Sequence, residues 1–173
     1  MTGHIFIEGE IGERSDVSLK SVRADIANYP QAKDWIVHIN SGGGEVNEGY
    51  AIGNILSTLK NTHAQIGASC CSIATYVAAS CEKITMPPHG DWMIHLPTGQ
   101  MAGNEHDFDR AANQLRRIKS ELADKYMKRV AKKGILSREQ VLAMIEKETS
   151  MSPSEALQYG FIAFVDEGHT QLS

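Results

Sequence analysis

The 173-residue chain has no apolar run approaching the roughly 18–20 residues that span a bilayer. Its first residues, Met1-Thr2-Gly3-His4-Ile5, carry no basic segment leading into an apolar one. The expectation is a cytoplasmic protein without a membrane anchor. Positive charge is also in short supply, with 17 Lys and Arg against 21 Asp and Glu, and no basic stripe. Binding to a phosphate backbone has no electrostatic footing, which excludes nucleic acid as a partner. Cysteine is limited to Cys70, Cys71 and Cys81, an odd-numbered group with no histidine at metal-ligand spacing. That pattern builds neither a disulfide framework nor a metal site and fits reduced thiols. No repeat, low-complexity tract or linker interrupts the chain, and 42% hydrophobic side chains suit one compact domain over 1–173.

What is present is an alternation of strands and helices. His4 to Gly9 and Trp35 to Asn40 are β-rich runs, and the spacing of Val17, Val22, Ile26 and Tyr29 predicts a helix between them, stopped by Pro30. Val46, Tyr50, Ile52, Ile55, Leu56 and Leu59 predict a second helix. Further on, Gln65 to Ala68, Lys83 to Met86 and Asp91 to His95 read as strands, and Ile73 to Ala79 as a buried helix of small residues. A stripe of Phe108, Ala111, Leu115, Ile118, Leu122, Tyr126 and Val130 predicts the longest helix, from about Glu105 to Lys132. Ser137-Arg138-Glu139-Gln140 and Ser152-Pro153-Ser154-Glu155 carry the capping chemistry of two further helix starts, and Phe161 to Val165 predicts a last strand. The class is α/β, with helices covering a sheet.

Three places can carry chemistry. Asn40-Ser41-Gly42-Gly43-Gly44 lies between a predicted strand and helix, where glycines let backbone N–H groups approach an anion or oxyanion. It has neither the Lys-Ser/Thr of a phosphate-binding loop nor the spacing of a dinucleotide fold, and a plain tight turn would need the same glycines. In Gly67-Ala68-Ser69-Cys70-Cys71-Ser72-Ile73-Ala74, small side chains surround Ser72 at the entrance to a helix. There a serine is either a nucleophile with oxyanion-stabilising N–H groups behind it or a simple helix cap. His95 ends a strand ahead of Leu96-Pro97, a suitable mount for a base and equally for a structural histidine. His4, His38, His63, His89, His106 and His169 have no comparable setting.

Taken together, these pieces resemble the Clp protease proteolytic subunits and the related head-maturation proteases of tailed phages, over about residues 4 to 166. Asn40 to Gly44 is similar to the family's Asn-Ser-Pro-Gly-Gly loop, with glycine in the proline position. Met93-Ile94-His95-Leu96-Pro97 resembles the segment bearing the catalytic histidine. Glu155-Ala156-Leu157-Gln158-Tyr159-Gly160-Phe161-Ile162 resembles the C-terminal Glu-Ala-x-x-x-Gly-Leu-Ile. Counting forward from Gly67 places Cys71 at the family serine, whereas counting back from Met86-Pro87 places Ser72 there. Ser72 is preferred because the following helix then runs without a gap, and Cys71 is the alternative. The resemblance places the third triad member at Glu148, with Asp166 as the alternative.

The resemblance implies a Clp/crotonase-type fold of repeated ββα units, with a handle of strand plus long helix at about 97–132. It implies a serine endopeptidase acting through an acyl-enzyme, with Gly43 and Ile73 N–H groups as the oxyanion hole and no cofactor. It also implies polypeptide substrates and a homo-oligomeric heptameric ring, stacked as a tetradecamer. Ile5-Phe6-Ile7 begins almost at once, without the family's preceding segment, so ring assembly is implied more directly than a Clp ATPase partner. Glu148 and Ala102-Gly103-Asn104 resemble the phage branch, whose substrates are capsid and scaffold proteins. The rival readings are a catalytically inactive scaffold subunit and a crotonase-fold acyl-CoA enzyme.

Overall fold

The structure, a computed structural model, describes residues 1–168; His169 lies outside the described residues. Among the described residues, seven strands and six helices follow one another. They are β1 (Thr2–Glu8), α1 (Leu19–Ala27), β2 (Asp34–Ser41), α2 (Val46–Leu56), β3 (Thr62–Cys71), α3 (Ile73–Ala78), β4 (Lys83–Met86), β5 (Asp91–Ile94), α4 (Glu105–Val130), α5 (Arg138–Glu146), β6 (Thr149–Met151), α6 (Pro153–Tyr159) and β7 (Phe164–Val165), alternating except where β5 follows β4 and α5 follows α4. The sheet runs β1-β2-β3-β4-β7, all parallel. It forks at β3, whose first half pairs with β4 and whose last three residues, Ser69 to Cys71, pair with β5. The fork carries the far end of β3 and the end of β5 to the same place. On its other side, β5 pairs antiparallel with β6, setting Ile94 opposite Thr149.

One face of the sheet holds the core. Ile5, Ile7, Val37, Ile39, Ala64, Ile66 and Ile84 alternate inward and are buried, while His4, Ile36, His38, His63 and Gln65 alternate outward and are partly exposed. Helix α3 lies close against α2 because position 49 has no side chain: a Cβ at Gly49 would sit 2.2 Å from Ile73 Cγ1. Behind α3, Trp92, Tyr126 and Phe161 are buried against one another, with Phe161 ring centroids 5.8 Å from Trp92 and 5.9 Å from Tyr126. Burying each such ring contributes roughly 1.5–3 kcal/mol.

Several boundaries differ from expectation for identifiable reasons. Both predicted capping boxes form, Ser137 with Gln140 and Ser152 with Glu155, and two more form at Ser18 with Ser21 and at Asn104 with Asp107. The last strand shortens to Phe164–Val165, because the N–H groups of Phe161 and Ile162 turn back to the Ala156 carbonyl and bury both side chains. β3 is longer than Gln65 to Ala68, since its small residues 69–71 are paired by β5. β6 has no alternating pattern of its own and was not expected. The stripe on α4 is buried only from Ile118 onward; Phe108 is 51% exposed, so the first half of the helix projects beyond the core. Residues 95–104 lie in neither helix nor strand. Among the described residues, no helix is long and apolar enough to cross a membrane.

Candidate active site

Ser72 is the single residue between β3 and α3, and its backbone has φ 56° and ψ −133°. A non-glycine residue at positive φ costs roughly 1–3 kcal/mol and persists only where its surroundings enforce it. Here the Ser72 N–H donates to the Met93 carbonyl at 2.9 Å, tying it to the strand that leads to His95. The Ser72 carbonyl accepts from Thr75 N–H at 3.0 Å and from Thr75 Oγ1 at 2.6 Å. Although Ser72 occupies the N-cap position, its side chain makes no capping hydrogen bond. Its Oγ instead lies 2.7 Å from His95 Nε2. The simple helix-cap reading of this serine therefore does not hold.

His95 stands one residue beyond β5, with its side chain 22% exposed. Its other ring nitrogen, Nδ1, is 3.9 Å from Glu148 Oε1, an ion-pair separation longer than a hydrogen bond, and the Glu148 side chain is 67% exposed. Glu148 also has positive φ, at 53°, where the chain leaves α5 and turns into β6. Because Thr149 pairs with Ile94, the residue before one faces the residue after the other. This antiparallel pairing brings Glu148 and His95 together.

The glycine loop closes the site from the β2 side. Gly43 and Gly44 have φ of 102° and 149°. A Cβ at Gly43 would lie 2.6 Å from Ser72 Cβ and 3.1 Å from Ser72 Oγ, so only glycine fits beside the serine. The loop is clamped by Ser41 Oγ donating to the Gly9 carbonyl at 2.6 Å, Ile11 N–H to Gly43 O at 2.9 Å, and Glu45 N–H to Ile11 O at 2.8 Å. The Gly43 N–H is engaged within the loop, donating to Ser41 Oγ at 3.1 Å. The N–H of Ile73 opens helix α3, where an i−4 helical carbonyl is missing.

The two alternative residues stand apart from this arrangement. Cys71 is buried, its Sγ 3.2 Å from Ser69 Oγ and 3.6 Å from Asp91 Oδ2. Burial, with the Asp91 carboxylate adding to it, pushes the thiol above its ordinary range, the reverse of what a thiolate nucleophile needs. Asp166 follows β7; its N–H donates to the Met86 carbonyl and its carboxylate accepts from Gly168 N–H. The structure brings Ser72, His95, Glu148 and the Gly43 loop together, and leaves Cys71 and Asp166 outside.

Sequence reasoning missed the support behind the serine. Thr75 Oγ1 is 2.6 Å from the Tyr126 hydroxyl, which comes from α4, 51 positions along the chain. It also missed the carboxylate of Asp91, which accepts from Ser150 Oγ at 2.7 Å and fastens β6 beside β5. No local pattern announces either contact. Beside the glycine loop, a groove of about 670 Å³ runs between residues 98–101, Glu45 to Asn47 and the projecting half of α4, where Phe108, Leu115 and Ile118 make it apolar.

A family model described as Clp protease matches residues 2–168. The chain is 32% identical over 168 residues to the ATP-dependent Clp protease proteolytic subunit of Porphyromonas gingivalis, covering 91% of this chain and 71% of that one. It is 29% identical over 164 residues to the ATP-dependent Clp protease proteolytic subunit 1 of Shouchella clausii, with 91% and 81% covered. With the corresponding subunit of Pleurastrum terricola it shares 28% over 166 residues, covering 93% and 82%.

Proposed function

This chain belongs to the Clp protease family, and on that premise we propose that it is a serine endopeptidase with Ser72 as nucleophile, His95 as general base and Glu148 as the carboxylate that orients the imidazole. The observation that carries the reading is the 2.7 Å approach of Ser72 Oγ to His95 Nε2, made by a serine in a strained backbone conformation that does not cap its helix.

His95 Nε2 takes the Ser72 proton as Oγ bonds to the carbonyl carbon of the scissile peptide. The oxyanion is held by the N–H groups of Ile73 and Gly43, the latter exchanging or sharing its bond to Ser41 Oγ. Collapse breaks the C–N bond, and the imidazolium protonates the departing amine. Water, deprotonated by His95, then attacks the acyl-enzyme and restores Ser72. Glu148 faces the imidazolium formed in both steps. The apolar groove beside the glycine loop supports an extended peptide as substrate.

The family resemblance supports a heptameric ring, stacked as a tetradecamer. The ATP dependence in the names of the relatives supports a Clp ATPase as partner. Glu148 favours the phage branch and hence capsid or scaffold substrates. An inactive scaffold subunit would have no use for a strained serine bonded to a histidine, and a crotonase-type acyl-CoA enzyme needs no such pair.

Fluorophosphonate labelling tests the assignment. Ser72→Ala should abolish labelling and peptide cleavage, while Cys71→Ala leaves both intact. The opposite result moves the nucleophile to the thiol, and tight binding of a CoA thioester would overturn the peptidase reading.

A further inference from the structure

From the buried contact between helix α4 and the turn after Ser72, we infer that Tyr126, acting through Thr75, is a positioning residue that holds the Ser72 backbone with Oγ aimed at His95. The inference rests on Ser72 being the nucleophile. A threonine bonding back to the carbonyl three residues earlier is an ordinary helical feature. A tyrosine from a distant helix bonded to the same hydroxyl is not.

The direction of the chain follows from the number of hydrogens available. Thr75 Oγ1 has a single hydrogen and donates it to the Ser72 carbonyl, so at its other contact it accepts, and Tyr126 donates. Both residues are buried, and burial pushes the Tyr126 phenol well above its ordinary range, so its proton stays in place. The Tyr126 ring is fixed edge-on against Phe161. A donated bond polarises the Thr75 hydroxyl and strengthens the bond that this hydroxyl gives to Ser72.

Ser72 is thus held through both of its flanking peptide units. Its N–H is fixed by Met93, two residues before His95, and its carbonyl by Thr75 and Tyr126. The α3 turn is only six residues long, and among the described residues no other side chain bonds to this carbonyl. Loosening the carbonyl end lets ψ relax and turns Oγ away from Nε2, which lowers the rate of acylation and leaves the substrate groove untouched.

The test uses the full chain in its native assembly, with a fluorogenic peptide and a fluorophosphonate probe, and rates expressed per folded protein. Tyr126→Phe should lower kcat and the labelling rate about tenfold with KM unchanged, the size expected when one buried hydrogen bond is lost from a geometry-critical site. Thr75→Ser keeps the hydroxyl and should stay within about twofold of the parent, whereas Thr75→Val should fall as far as Tyr126→Phe. The double variant Thr75→Val/Tyr126→Phe should be no slower than Thr75→Val alone, because the two residues act as one chain. Wild-type labelling in Tyr126→Phe, or losses that multiply in the double variant, overturns the inference. Labelling that survives Ser72→Ala removes the nucleophile assignment itself, a separate failure.

Discussion

The conformation of Ser72 implies that the protein gives up stability at the proposed nucleophile, and two substitutions at this one position measure how much. Ser72→Ala and Ser72→Gly both remove the hydroxyl and its bond to His95. They differ only in the Cβ. At φ 56° and ψ −133° the alanine variant retains a strain of roughly 1–3 kcal/mol, which glycine relieves. Against this relief, glycine adds an unfolded-state entropy cost of roughly 0.5–1 kcal/mol. It also loses the packing of a half-buried Cβ against Gly43, at most about 0.8 kcal/mol. The balance favours glycine by about 1 kcal/mol, which for a chain of this size is a melting difference of about 2–4 °C. Thermal unfolding of both variants at one protein concentration reads it directly, the fixed concentration being needed because assembly adds stability by mass action. Both should be inert to fluorophosphonate. An alanine variant that melts at or above the glycine variant would refute a strain of about 2 kcal/mol or more at this position.

The carboxylate assignment separates by mutation. Glu148 is two-thirds exposed and 3.9 Å from His95 Nδ1, so the interaction contributes no more than about 1 kcal/mol, and Glu148→Gln should lower kcat/KM for a peptide about fivefold. Asp166→Asn should leave the rate within about twofold, and a larger loss there than at Glu148 would move the role to Asp166. A pH effect on stability is expected from His38. Burial lowers its pKa and the neighbouring His4, whose Nδ1 is 3.0 Å from His38 Nε2, lowers it further, with Glu8 partly opposing. The unfolded chain therefore protonates His38 before the folded one does, so stability is complete above the ordinary histidine pKa of about 6.5 and falls as pH drops through it. His38→Gln should flatten that part of the melting-temperature profile.

Much of the fold was legible because its signals are local. The capping boxes at Ser137 and Ser152, the spacing of apolar residues on α1, α2 and α4, and Gly160 ending α6 with φ 91° all act within one or two turns of the chain. The candidate site was legible in part because Ser72, His95 and the glycine loop each stand at the end of a strand. β6 was not, since three residues, Thr149 to Met151, carry no period and become a strand only by pairing with β5.

The sequence by itself determined the order of strands and helices apart from β6, the small residues around Ser72 and the absence of side chains at Gly43 and Gly44, because propensity, periodicity and steric bulk belong to individual residues. Tertiary structure set which of the two neighbours meets the histidine, for the register of β3 against β5 sends the Ser72 hydroxyl to His95 and leaves the Cys71 thiol beside Asp91. It also decided that Glu148 and not Asp166 faces the imidazole, and that Tyr126 reaches Thr75. Those outcomes depend on distances between segments far apart in the chain, which exist only once the sheet has paired and α4 has packed across it.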